Sequence, residues 1–162
     1  MKIGEILEDN GIECYDWIIG SPTAGITYAH DLARELGAPI NMCVEKDPKN
    51  PMGKNMIWNR MQIPANDSVL QIEELTTTAK TLTAVQKAII DGNGGPVNFL
   101  PYIGILVHRP PKLPVTHYGD RQVIALIEKE IWAVPQEECP LCAQGSSRYR
   151  PKQNWEKLTG MK

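Results

Sequence analysis

The chain has 162 residues, 42% of them hydrophobic and 22% charged, with a formal net charge of −2. That length leaves room for one domain with a sizeable core, and the near-neutral balance gives no basic excess for holding nucleic acid. No stretch approaches membrane length and the N-terminus, MKIGEILEDNG, lacks a signal-peptide layout, so a cytosolic protein with no membrane partner is expected.

In chain order, YDWIIG (15–20) predicts a short apolar strand ending in the turn SPTAG. Ile26, Ala29, Ala33 and Leu36 then recur at helical spacing, and Gly37 is a natural stop. APINMCVE (38–45) predicts a second strand, and KDPKNPMGKN (46–55), polar and rich in lysine and proline, a mobile loop. MIWNRMQIP (56–64) alternates like a strand or hairpin arm. DSVLQIEE (67–74) predicts a strand, followed by a helix with Leu82, Val85 and Ile89 on one face. DGNGGP (91–96) breaks the chain, and YIGILVHR (102–109) is a further buried strand. VIALIEKEIWAV (123–134) is open between strand, from its β-branched content, and helix, from the spacing of Val123, Ile127 and Ile131. From Pro135 the tail is irregular. The fold class expected from this alternation is α/β, a mainly parallel sheet flanked by helices. Its domain is expected to run over 1–142, with 143–162 as an irregular tail.

Of the four cysteines, Cys14 and Cys43 stand alone among apolar neighbours, where reduced buried cysteine is expected. Cys139 and Cys142 form a C-x-x-C. A structural zinc needs four ligands, and neither a second C-x-x-C nor His108 and His117 supplies them at a suitable spacing, so no metal site is expected.

The chemistry concentrates where VLQIEE leaves its strand. Ligands of parallel sheets gather at the carboxyl ends of the strands. There the carboxylates Glu73 and Glu74 precede Thr76, Thr77, Thr78, Ala79, Lys80 and Thr81 at the start of a helix. Helix N–H groups and threonine hydroxyls suit a phosphate, whereas two carboxylates suit sugar hydroxyls, directly or through a divalent cation. A ligand with both a ribose and a phosphate satisfies both halves. The alternative is that the threonines only cap the helix.

The run from Ile72 to Thr81 resembles the signature of type I phosphoribosyltransferases, an apolar strand, two acids and a threonine- and glycine-rich phosphate loop. DWIIGSPTAGITYAHDLARELGAP is similar to the pyrophosphate-binding segment of the same family. The resemblance implies a sheet fold of that type and transfer of the phosphoribosyl group of phosphoribosyl pyrophosphate to a nucleobase, with Mg2+ bound alongside the donor. It implies that Glu73 and Glu74 hold the ribose hydroxyls and that residues 76–81 cradle the phosphate. Ser21, Thr23, Ala24 and Gly25 then belong to the loop that holds the pyrophosphate.

The resemblance is strongest to the orotate-using members. VEKDPKNPMGKNMIWNRMQIP is similar to their lysine-rich lid and ILVHRPP to their strand ending in an arginine, and some members also carry ECPLC. It implies that Lys46, Lys49 and Lys54 serve the lid, with Lys46 first among them, and that Arg109 grips the carboxylate of orotate beside Thr77. It also implies a homodimer whose lids reach the partner's site. Two residues depart from the pattern: both acids are glutamate, and Ala79 replaces the usual glycine, so the loop is expected to do without glycine's freedom at positive φ. Only Met1 to Cys14 precede the first strand, where orotate enzymes carry a hood of some tens of residues; a shortened hood is expected here. Salvage of another base and a non-catalytic sensor of phosphoribosyl pyrophosphate are the rival readings.

Overall fold

The computed structural model describes residues 2–12, 15–49, 55–132, 134–147, 149 and 153–161. They fall into two compact units, Met1–Ile131 and Trp132–Lys162. The first holds α1 (Lys2–Asp9), β1 (Trp17–Gly20), α2 (Ala24–Leu36), β2 (Ile40–Cys43), β3 (Glu45–Lys46), β4 (Met56–Ile57), β5 (Ser68–Thr76), α3 (Lys80–Asn93), β6 (Asn98–His108), β7 (His117–Tyr118) and β8 (Arg121–Glu128). The second holds a 3-10 turn, Gln136–Glu138, and two short helices, α4 (Pro140–Ala143) and α5 (Trp155–Thr159).

Six strands make the sheet, in the order β2-β1-β5-β6-β8-β7. All neighbours are parallel except β7, which runs antiparallel to β8 at the edge. All four residues of β1 are buried, as a strand covered on both faces requires. The two-residue period of the strands divides the core. Ile18, Leu70, Ile72 and Ile124 pack with Leu7 of α1 and Ala29, Leu32 and Ala33 of α2. On the opposite face Trp17, Ile19 and Val69 meet Val85, Ala88 and Ile89 of α3.

Several boundaries differ from the sequence expectation, each for a packing reason. Helix α1 was not expected, yet Leu7 is wholly buried against the sheet. The alternating segment 56–64 pairs only at Met56 and Ile57; Trp58 and Ile63 drop into the core beneath α3. There Asn93 closes the helix on that segment, accepting from the Ile63 N–H at 2.6 Å and donating to the Ile63 carbonyl at 3.0 Å. A Cβ on Gly92 would stand 1.8 Å from the Trp58 carbonyl oxygen, so α3 continues through Asp91 and Gly92 because glycine permits that approach. The break comes at Gly94, in the left-handed region at φ 72. Strand β6 starts at Asn98 rather than Tyr102, because an irregularity between the Val69–Phe99 and Gln71–Ile103 pairs accommodates Pro101. The ambiguous segment at 123 is strand: alternation sends Ile124 into one core face and Val123 and Ala125 to the other, while Ile127 is left 51% exposed. Cys43 lies half-buried because β2 is an edge strand, and Cys14 falls outside the described residues.

One polar cluster crosses the core. Arg121 of β8 is 5% exposed and Gln71 of β5 is fully buried. Arg121 donates to Gln71 Oε1 at 2.7 Å and to Gln86 Oε1 at 2.9 Å, with Phe99 under its guanidinium at 5.7 Å. Gln71 passes the chain on, donating to the Leu82 carbonyl at 3.0 Å. Burial pulls the Arg121 pKa below the ordinary arginine value. Arg121→Met, which strips Gln71 of its donor, should lower the unfolding free energy in urea by about 1–3 kcal/mol. Adding Gln71→Leu should recover much of that loss, because a matched apolar pair leaves fewer orphaned groups.

Candidate active site

The carboxyl end of β1 turns through a loop so tight that a Cβ on Gly20 would stand 2.2 Å from the Gly25 carbonyl oxygen. That turn presents Ser21, only 2% exposed, to the neighbouring strand β5, where its hydroxyl donates to Glu73 Oε1. Thr23 starts α2 without a side-chain cap, and Ala24 and Gly25 form its first turn. With the Ser21 hydroxyl proton engaged by Glu73, the loop presents chiefly backbone N–H groups to a ligand.

Glu73 is 5% exposed. Its Oε1 also accepts the Glu74 N–H at 3.2 Å, whereas its Oε2 is buried with no partner among the described residues. Burial drives the carboxyl pKa up, against the pull of Ser21 and the Glu74 N–H. Glu74, the next residue, is half-buried, and β5 continues past both acids to Thr76.

Residues Leu75 to Thr81 line an open cavity of about 220 Å³. Ala79 does adopt the left-handed conformation, at φ 55 and ψ 13, where glycine would be unstrained. An L-residue there costs about 1–2 kcal/mol. Packing of its methyl with Leu82, Ile103 and Ile105 returns about 0.8 kcal/mol of that. None of the threonines caps α3: its N-cap is Ala79, with no side-chain hydrogen bond. The Thr76 hydroxyl is buried and has no partner among the described residues, so the capping alternative does not account for it.

A second cavity, of about 210 Å³, joins three segments far apart in sequence: Pro22, the lid base at Lys46, Asn55 and Met56, and Lys80 and Thr81 of the loop. The short β3–β4 ribbon sets the lid base, and the Asp47 N–H donates to the Asn55 carbonyl at 3.1 Å. An ion pair between Arg60 and Glu45 braces it. Lys46 and Lys80, both exposed, therefore share one cavity, which joins the lysine-rich segment to the loop in which the sequence expectation placed Lys80. Lys49 is exposed and does not line it, and Lys54 lies outside the described residues. Pro22, Asn55 and Met56 were missed as lining residues, since only folding brings the lid base beside the first loop.

Arg109 follows β6, its N–H bound to the Thr76 carbonyl at 2.8 Å and its Nε buried without a partner among the described residues. Thr77 continues the strand end beside it. No three acids, histidines or cysteines converge on an ion among the described residues. A divalent cation here must take its oxygens from a ligand as well as from carboxylates, as magnesium does with phosphates. In the second unit the Cys142 N–H donates to Cys139 Sγ at 3.4 Å, closing the first turn of α4. No helix among the described residues is long and apolar enough to cross a membrane.

No family model matches the chain. An orotate phosphoribosyltransferase of Thermus thermophilus is 28% identical over 145 residues, 88% of this chain and 70% of that protein. One of Rhizobium leguminosarum is 40% identical over 77 residues, 48% of this chain and 33% of that one. Among solved structures, a purine phosphoribosyltransferase from Pyrococcus horikoshii superposes with a TM-score of 0.55 at 19% identity, covering 82% of each chain. The chain is thus similar in sequence to orotate phosphoribosyltransferases and shares the fold of type I phosphoribosyltransferases.

Proposed function

We propose that the protein transfers the phosphoribosyl group of phosphoribosyl pyrophosphate to orotate, releasing pyrophosphate. One observation carries the reading: a buried carboxylate oxygen, Glu73 Oε2, and a buried hydroxyl, Thr76 Oγ1, both lack partners among the described residues, beside an uncapped helix start. Orphaned buried polar atoms are rare in folded proteins. A ribose hydroxyl would satisfy the acceptor and a phosphate the donor. The orotate-specific names of the sequence relatives favour that acceptor base.

In this reading Glu73 and Glu74 accept from the ribose hydroxyls and hold the anomeric carbon in line between base and leaving group. The loop from Thr76 to Thr81 binds the phosphate through its N–H groups and hydroxyls. Backbone N–H groups of the Gly20–Gly25 turn bind the diphosphate, and Lys46 and Lys80 across the cavity meet the charge that grows on it as the bond breaks. Magnesium carried in with the donor supplies further neutralisation of the diphosphate. Arg109 pairs with the orotate carboxylate, which would satisfy its buried Nε. Two chains are proposed to form a homodimer. Lys46 lines the cavity of its own chain, so contributions in trans fall to the lid beyond Asp47.

Incubation with phosphoribosyl pyrophosphate, magnesium and a panel of bases should release pyrophosphate with orotate; turnover with adenine or hypoxanthine alone would reject the acceptor assignment. Arg109→Lys should raise the orotate KM about tenfold or more through loss of bidentate geometry, with donor affinity little changed.

Glu73→Gln separates stability from binding. The folded state holds the Glu73 pKa above its ordinary value, so its contribution to stability is fully present below the unfolded pKa and is lost as pH rises through the folded one. The glutamine variant should therefore melt higher than wild type near neutral pH, with the gap closing in acid. It should bind the donor about 1–3 kcal/mol more weakly by calorimetry.

For the lid, Lys49→Ala is mixed with Glu74→Ala under subunit exchange. A lid acting in trans restores one intact site per heterodimer and activity recovers; verified heterodimers that stay inactive would refute shared sites.

A further inference from the structure

Beside the phosphate loop runs a chain of polar groups that the proposed chemistry does not use. His108, the last residue of β6, is wholly buried. Its Nδ1 lies 2.8 Å from Glu128 Oε1 and its Nε2 lies 3.0 Å from the Tyr118 hydroxyl. That hydroxyl in turn stands 3.3 Å from the Thr77 carbonyl oxygen. The two rings meet edge to face with centroids 5.6 Å apart, so the imidazole is confined by packing as well as by hydrogen bonds.

An ionised carboxylate and a carbonyl can only accept. The chain therefore has an acceptor at each end and three gaps to bridge. Tyr118 brings one proton and a neutral imidazole one more, which leaves one gap open. With Nδ1–H held by Glu128, the tyrosine proton then goes to Nε2, the nearer acceptor, and the Thr77 carbonyl loses its donor. An imidazolium brings two protons and closes all three gaps: Nδ1–H to Glu128, Nε2–H to the tyrosine oxygen, and the tyrosine O–H to Thr77.

We infer that Glu128, His108 and Tyr118 are positioning residues for the phosphate loop, and that a proton on His108 locks the Thr77 carbonyl in place. The surroundings leave the imidazole few other partners. Glu128 faces it from β8 and Tyr118 from β7, Thr76 is its opposite number on β5, and Arg109 is the next residue on its own strand. Around Tyr118 the loop and α3 contribute the apolar Ala79 and Leu82. Burial raises the Tyr118 pKa, which keeps it a proton donor at neutral pH. The link to phosphate binding rests on the proposed function; the lock itself does not. Because linkage is reciprocal, phosphate binding should draw a proton onto His108.

Two measurements separate these layers. In ligand-free protein, long-range nitrogen–proton spectra of the His108 ring and the amide shift of Thr78, which follows the locked carbonyl, are recorded between about pH 5 and 9, where imidazoles titrate. The two signals should titrate together in wild type, and in Tyr118→Phe the Thr78 amide should no longer follow the ring. A Thr78 amide that follows the ring equally in Tyr118→Phe, or a ring that does not titrate in wild type, overturns the lock. Ribose 5-phosphate binding is then measured by calorimetry over the same range. The second ionisation of a phosphate ester, near about pH 6, by itself makes affinity rise with pH. A lock instead makes affinity fall, by about three- to tenfold, the equivalent of one hydrogen bond, and only while Tyr118 is present. A uniform loss in Tyr118→Phe with an unchanged pH profile would mean a merely structural role and overturns the positioning assignment. Should wild type bind no ribose 5-phosphate at any pH while the ring and Thr78 still titrate together, the lock stands and the phosphate-site reading falls.

Discussion

A largely buried carboxylate organises this structure. Glu73 stands on the central strand β5, and the Ser21 hydroxyl ties it to the loop after β1. A lone buried carboxylate is costly, and one hydroxyl plus one N–H offset only part of that cost. The remaining oxygen has no partner among the described residues, and burial pushes the carboxyl pKa up. The same contact fixes the relation of the first loop to the second, so the strained element and the organising element are one residue. Poorly satisfied groups of this kind concentrate at functional sites.

The loop after β5 repeats the pattern in backbone form. Ala79 takes a left-handed conformation that its side chain disfavours, held by packing on Leu82, Ile103 and Ile105. Its φ directs the chain into α3 with no side-chain cap, and the buried Thr76 hydroxyl has no partner among the described residues. The family glycine would relax the strain and forgo the methyl contact. The contact, about 0.8 kcal/mol, offsets part of a strain of about 1–2 kcal/mol, which makes alanine tolerable here.

Rigid support lies beneath these loops. Arg121, Gln71 and Gln86 tie β8, β5 and α3 together, and the hydrogen bond from Gln71 to the Leu82 carbonyl fixes the first turns of that helix, next to the loop from Thr76 to Thr81. Asn93 fastens the far end of α3 to the segment that carries Trp58. Both ends of the helix are thus held through side-chain amides, and amides bind backbone without adding a charge that burial would penalise.

Local pattern determined much of this protein. Apolar runs and period marked β1, α2, β5, α3 and β6, and glycines marked helix ends at Gly37 and Gly94. The pairing of acids with a threonine-rich turn at Glu73 to Thr81 was legible because the chemistry of that site is contiguous in the chain. Tertiary structure alone decided the rest. Residues 123–134 carry both periods, and only pairing with β6 selects strand from Arg121 to Glu128. Gly92 reads as a breaker, but it is helical because Trp58 needs the space that a Cβ would fill. Ser21 meets Glu73 across 52 residues and His108 meets Tyr118 across a change of strand. Neither contact has a local signature, since a hydrogen bond between neighbouring strands depends on register, and register is set by the whole sheet.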